Sequence, residues 1–338
     1  MTPIDISPPA GWTQIQTIDA HTGGEPLRIV TDGLPPIEGE TILEKRQYMQ
    51  RELDRYRQAL MYEPRGHADM YGAILVEPTV DDADIGVLFT HNEGYSTMCG
   101  HGIIALGAIL AESNLVENKA EELRIETPAG IVTAQPIDDG DRVSRVAFTN
   151  VPSFVYARDR TVTVPGIGEL QYDIAFGGAF YAYCQATDAG VGLTGADAAS
   201  LIDVGRKIKA AVAADCEIIH PYEGDLSFLY GVIFTGPANG AADSRNICVF
   251  ADGEIDRCPT GTGVSGRLAL GHEDETIAPT EPFTVESIVG STFTGSYTET
   301  TYGGYDAVIP TIEGSAYITG VHTFVLDPTD PFKNGFLL

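Results

Sequence analysis

Two segments of this 338-residue chain read as copies of one another: Cys99-Gly100-His101-Gly102 opens GHGIIALGAIL, and Thr260-Gly261-Thr262-Gly263 opens GTGVSGRLALG. Positions 99 and 260 lie 161 residues apart, nearly half the chain, as expected of a duplicated domain presenting one polar residue from each copy. If the two residues face one cleft, the chain is an enzyme with two opposed positions, one a thiol and the other not.

The chain is long enough for two domains, each with its own core. Short runs rich in β-branched and aromatic residues, bounded by Gly, Pro or Asp, dominate it. Helical periodicity is confined to residues 41–61, 101–114, 195–215 and 263–274. In each half one apolar helix follows the duplicated G-x-G motif, and a helix apolar on most faces must be buried. The fold class expected is therefore α+β: two pseudo-symmetric domains, each a curled mixed sheet around a central helix, with the active site in the cleft between them. The first half-domain is expected over residues 1–152, with the boundary between Asn150 and Phe154. The second is expected over residues 153–319, with a C-terminal segment of about 320–338 returning to complete the first.

A thiol at the start of a helix sits where unpaired N–H groups and the macrodipole favour the thiolate. Cys99 is so placed, and a depressed thiol pKa is expected of it; a core cysteine that caps its helix by chance is the alternative. Gly100, Gly102, Gly261 and Gly263 let the backbone approach a ligand closely, so two facing helix N-termini would clamp a carboxylate. The implied substrate is a small carboxylic acid. Asp256, four residues before Thr260, is either the partner of a substrate ammonium or an exposed turn residue. His101 either positions substrate or is a satisfied polar group of the cleft wall.

Other patterns point elsewhere and are discounted. Residues 261–266 spell G-x-G-x-x-G, but the loop DGEIDRCPT separates them from the preceding strand, unlike a dinucleotide fingerprint. His67-x-Asp69 is at most half a metal site and reads better as a hydrogen-bonded pair; no metal is expected. Five cysteines with no CxxC pair exclude a disulfide framework or zinc knuckle. Cys184 and Cys248 sit in strand-like runs as small hydrophobes.

With 48 acidic against 20 basic residues the net charge is −28, which repels nucleic acid and anionic lipid. The acidic stretches 80–86, 137–142 and 271–282 read as solvated faces, and the whole as a protein of a salt-rich cytoplasm, an ordinary acidic enzyme being the alternative. The apolar run GIIALGAILA is far shorter than the ~20 residues of a membrane span. MTPIDISPPAGW has neither the basic nor the apolar region of a signal peptide, so a cytoplasmic location is expected. Monomer and homodimer are both left open.

The segments DAHTGGEPLRIV, EPRGHADMYGAIL, HNEGYSTMCGHG, DIAFGGAFYA, DRCPTGTGVSGR, SIVGSTFTG, YITG and DPFKNGFLL span nearly the whole chain. Through them it resembles the proline racemase family, whose fold is that of diaminopimelate epimerase. The resemblance implies two cysteines flanking a substrate α-carbon, one removing its proton and the other returning one to the opposite face. By position the first is Cys99 and the second is replaced by Thr260. A threonine hydroxyl cannot exchange protons at neutral pH as a thiol does, so racemisation should fail.

Abstraction from one face followed by loss of a β-hydroxyl needs only one strong base. The cysteine-plus-threonine pattern resembles the family's trans-3-hydroxy-L-proline dehydratase branch. The implied activity is a cofactor-independent hydro-lyase reaction on an imino acid, giving Δ1-pyrroline-2-carboxylate. The resemblance further implies that N–H groups of Gly100, His101, Gly261 and Thr262 hold the carboxylate and that Asp256 binds the ring ammonium. Thr260 either hydrogen-bonds the leaving hydroxyl or fills space. Cys258, where the family usually has Ser, is expected several ångströms out of register and inert. The rivals are a proline racemase or 4-hydroxyproline 2-epimerase and a non-catalytic imino-acid binding protein.

Overall fold

A computed structural model describes residues 7–112, 122–138 and 143–338. The first six residues of the segment read for a leader, the last two residues of the helix read to 114, and residues 139–142 of the acidic stretch 137–142 lie outside the described residues.

The duplication is written into the strand pairing. Strands Thr13–Thr22, Glu25–Asp32, Gly72–Val76, Ile85–Thr90, Leu123–Thr127, Gly130–Asp138 and Val143–Thr149 pair in succession as antiparallel, parallel, antiparallel, parallel, antiparallel, antiparallel. Strands Gly168–Phe176, Phe180–Gln185, Leu229–Gly236, Ser244–Phe250, Phe283–Glu286, Thr292–Tyr302 and Tyr305–Gly314 repeat the same series. A parallel pair needs a crossover, and helices fill these connections in both copies. Gly100–Glu112 lies in the second crossover of the first series and Gly261–Glu273 in the second crossover of the other. The α+β architecture, two curled mixed sheets each around a central helix, is as the sequence predicts.

The copies are tied together by exchange. Ser153–Val164, which follows the first series, pairs with Gly168–Phe176, the first strand of the second. The C-terminal strand Ala316–Leu326 follows the second series and pairs with Thr13–Thr22, the first strand of the first. The two terminal strands of the series, Val143–Thr149 and Tyr305–Gly314, pair with each other. This network holds the two helix N-termini in one place.

The first central helix is buried from Gly100 through Leu110, and the second is buried along nearly all of its length. Side chains such as Ile103, Ile104 and Leu106 are fully enclosed, each contributing about 1.5–3 kcal/mol of hydrophobic stabilisation. Residues 41–61, read as one helix, are instead two α-helices, Ile42–Tyr48 and Asp54–Met61, joined by a π-helical turn at Met49–Leu53. Thr41 caps the first by accepting the Glu44 N–H at 3.2 Å. The wider turn keeps Met49 and Leu53 buried while Arg57, paired with Asp54 at 2.6 Å, pins the second to the His91 carbonyl. Among the described residues no helix is long and apolar enough to cross a membrane.

Candidate active site

The N-termini of the two central helices meet head to head. A Cβ on Gly100 would lie 2.7 Å from the Gly261 Cα, and one on Gly261 would lie 2.9 Å from the Gly100 Cα, so only glycine permits this approach. The first helical hydrogen bonds run from Ile103 N to Cys99 O at 3.0 Å and from Val264 N to Thr260 O at 2.7 Å. The N–H groups of Gly100 and His101, and those of Gly261 and Thr262, precede these bonds and have no partner within their own helices. Cys99 and Thr260 occupy equivalent positions and line the same cavity with His101, Asp256 and Thr262.

That cavity measures about 20 Å3 in the space open to a water's centre, room for about one water.

Cys99 is buried; its Sγ accepts the Gly102 N–H at 3.3 Å and lies 3.1 Å from His101 Nδ1. The expectation of a depressed thiol pKa is corrected here. Burial pushes the Cys99 thiol up, and the Gly102 N–H and the Tyr71 hydroxyl, which both favour the thiolate, do not offset the desolvation. The helix terminus acts as the sequence suggests, but in this buried site it is the smaller effect. Burial also lowers His101 to about 4, so its imidazole is neutral beside the thiol.

Asp256 is buried, not an exposed turn residue. Its Oδ1 accepts the Cys258 N–H at 2.7 Å and its Oδ2 accepts the Thr260 hydroxyl at 2.7 Å. Thr260 has φ +66°, a left-handed conformation that a β-branched residue rarely adopts. Such conformations persist where the surroundings impose them, and the bond to Asp256 is one such restraint.

Cys258 is fully buried behind Thr260, whose N–H it accepts at 3.3 Å. Its sulfur is nonetheless part of a tight group. Ligating atoms of His101, Asp256 and Cys258 lie within 4.8 Å of one another, the group of metal-ligand spacing found among the described residues. Both Asp256 oxygens are already engaged in hydrogen bonds. His67 and Asp69 do not pair as the sequence suggests: His67 is exposed against the Ala68 carbonyl, and Asp69 binds Arg257 at 2.9 Å.

Several groups were not singled out from sequence. Glu25 is completely enclosed; its Oε2 accepts the Arg257 N–H at 2.7 Å and its Oε1 has no partner. Burial, reinforced by the charge of Asp256, pushes its carboxyl well above the usual range. Tyr71, Tyr181, Tyr230 and Phe250 complete the cavity wall. The Tyr181 hydroxyl meets Thr262 Oγ1 at 2.8 Å, and those of Tyr71 and Tyr230 are 3.3 Å apart. The signal available was weak: Glu25 and Tyr71 sit inside segments that resemble family motifs, whereas nothing local marks Tyr230.

A proline racemase family model matches residues 17–337. A Colwellia psychrerythraea protein named trans-3-hydroxy-L-proline dehydratase is 49% identical over 331 residues, covering 97% of this chain and 93% of that protein. A Xenopus tropicalis protein named trans-L-3-hydroxyproline dehydratase is 44% identical, covering 98% and 97%. Among solved structures, a hydroxyproline epimerase from Agrobacterium vitis with bound trans-4-hydroxy-L-proline superposes with a TM-score of 0.91 at 30% identity. That match covers 97% of this chain and 96% of the other.

Proposed function

The chain belongs to the proline racemase family, and from that premise we propose that it dehydrates trans-3-hydroxy-L-proline to Δ1-pyrroline-2-carboxylate. The observation that carries this reading is the asymmetry of the two helix starts: a thiol at 99 and, at the equivalent position 260, a hydroxyl donated to Asp256. The names of the dehydratase relatives support it.

In this reading the substrate carboxylate sits between the helix N-termini, held by the N–H groups of Gly100, His101, Gly261 and Thr262, which also stabilise the enediolate as charge develops. The ring ammonium pairs with Asp256. The ammonium also brings the positive charge that favours a thiolate at Cys99, opposing the burial that pushes the thiol up. Cys99 takes the α-proton, C3 loses its hydroxyl, and the enamine tautomerises to the cyclic imine. Thr260 orients Asp256.

The reading extends to a cofactor-independent enzyme working in a salt-rich cytoplasm, as the net charge of −28 suggests. It also takes residues 1–152 with about 320–338, and residues 153–319, as the two half-domains, a division to which the return of the C-terminal strand to Thr13–Thr22 lends support.

The test is incubation with trans-3-hydroxy-L-proline, trans-4-hydroxy-L-proline and L-proline, followed by an assay for cyclic imine and chiral analysis. Imine from the 3-hydroxy compound alone is expected. Inversion of the other two would identify an epimerase or racemase, and no turnover of any would identify a binding protein.

A further inference from the structure

In trans-3-hydroxy-L-proline the carboxylate and the hydroxyl lie on opposite faces of the ring. The α-hydrogen, opposite the carboxylate on C2, therefore shares a face with the hydroxyl on C3. If Cys99 takes that hydrogen, the departing oxygen is on the Cys99 side. Thr260 belongs to the opposing helix, and its hydroxyl already donates to Asp256 at 2.7 Å. Hydroxide is a poor leaving group, so an acid is needed on the thiol's side.

Two hydroxyls are there. Tyr71 and Tyr230 line the same cavity as Cys99, both are buried, and their oxygens are 3.3 Å apart. The Tyr71 hydroxyl is near enough to the Cys99 sulfur to favour its thiolate. Its ring packs edge-on against the His101 imidazole, with centroids 4.8 Å apart, which fixes its direction. In the proposed reaction neither phenol takes the α-proton or holds the carboxylate.

We propose that Tyr71, supported by Tyr230, is the acid that protonates the departing 3-hydroxyl, so that elimination runs wholly on the Cys99 face. The Cys99 thiolate takes the hydrogen from Cα, and the electron pair of that bond enters the enediolate. The enediolate collapses to the Cα–C3 double bond, and the C3–O bond breaks with its electrons on oxygen. That oxygen takes the Tyr71 proton and leaves as water. The phenolate, hydrogen-bonded by Tyr230, recovers a proton from the Cys99 thiol and restores the thiolate. The circuit closes without a second thiol, which is why a threonine is tolerated at 260.

This rests on the dehydratase reading, and the test keeps the two apart. Wild-type protein is first assayed with trans-3-hydroxy-L-proline; no turnover would defeat that reading and this inference with it. Tyr71→Phe is then compared with wild type on that substrate and on trans-3-chloro-L-proline, whose leaving chloride needs no proton. The expected result is a fall in kcat of about 100-fold on the hydroxyl substrate and of no more than about tenfold on the chloro compound, which registers only the lost support of the Cys99 thiolate. Tyr230→Phe should show the same split, smaller, at about tenfold on the hydroxyl substrate. Equal losses on both substrates would mean a packing role, and an undiminished rate on the hydroxyl substrate would mean no role; either overturns the proposal.

Discussion

The Thr260 hydroxyl donates to Asp256 Oδ2 at 2.7 Å, tying the residue that stands opposite Cys99 to the carboxylate proposed to hold the ring ammonium. In the two-thiol site that the family resemblance implies, the residue at this position exchanges protons with the substrate. Here it is fixed as a hydrogen-bond donor. The substitution thus removes one chemistry and adds a restraint.

Thr260→Cys should reverse both. A thiol at 260 supplies a second proton-exchanging group, so the variant is expected to gain measurable epimerisation of trans-4-hydroxy-L-proline, read as deuterium uptake and inversion at Cα in heavy water. A thiol donates more weakly than a hydroxyl, so KM should rise as Asp256 loses its restraint. A folded variant that still dehydrates its substrate but inverts nothing would show that residue 260 does not face the α-carbon.

Cys99→Ala should abolish turnover, whereas Cys258→Ser should keep most of it. Cys99 lines the cavity, while the Cys258 sulfur faces the Thr260 backbone N–H at 3.3 Å. Comparable losses of kcat in the two variants, both folded by circular dichroism, would place Cys258 in the machinery.

Stability should fall in mild acid, partly through His220. Burial lowers this imidazole to about 4, against about 6.5 in the unfolded chain. Its Nδ1 accepts the Glu223 N–H at 3.0 Å, which requires that nitrogen unprotonated. Between the two pKa values the unfolded chain binds a proton that the folded one does not. The contribution is therefore fully present above pH ~6.5 and is lost as pH falls toward ~4. Urea unfolding of His220→Gln should show a shallower loss of stability than wild type over that window. Parallel profiles would refute the assignment.

Stability should rise with salt. A net charge of −28 repels itself, and ions screen it over about 10 Å at 0.1 M but about 3 Å at 1 M. The melting temperature is expected to increase between about 0.1 and about 2 M potassium chloride. A flat or falling trend would contradict a salt-adapted protein.

The sequence by itself determined the duplication, the two buried helices and the unequal residues at 99 and 260. These are local patterns: a glycine spacing, an apolar run and a residue type are covalent facts that any fold of the chain must accommodate. It also carried the placement of Asp256 near Thr260, because four residues cannot separate them far. Tertiary structure alone decided what surrounds them. Tyr71 and Tyr230, 159 residues apart in the chain, share a cavity wall only because strands of both halves converge on the helix N-termini. Whether Asp256 is a solvated turn or a buried carboxylate, and whether the Glu25 carboxyl is pushed up, depends on which segments cover them. The Cys99 thiol shows the same division most directly. The helix start that favours its thiolate is legible in CGHG, but the desolvation that outweighs it comes from residues packed around the sulfur from across the chain, and burial is a property of the assembled fold.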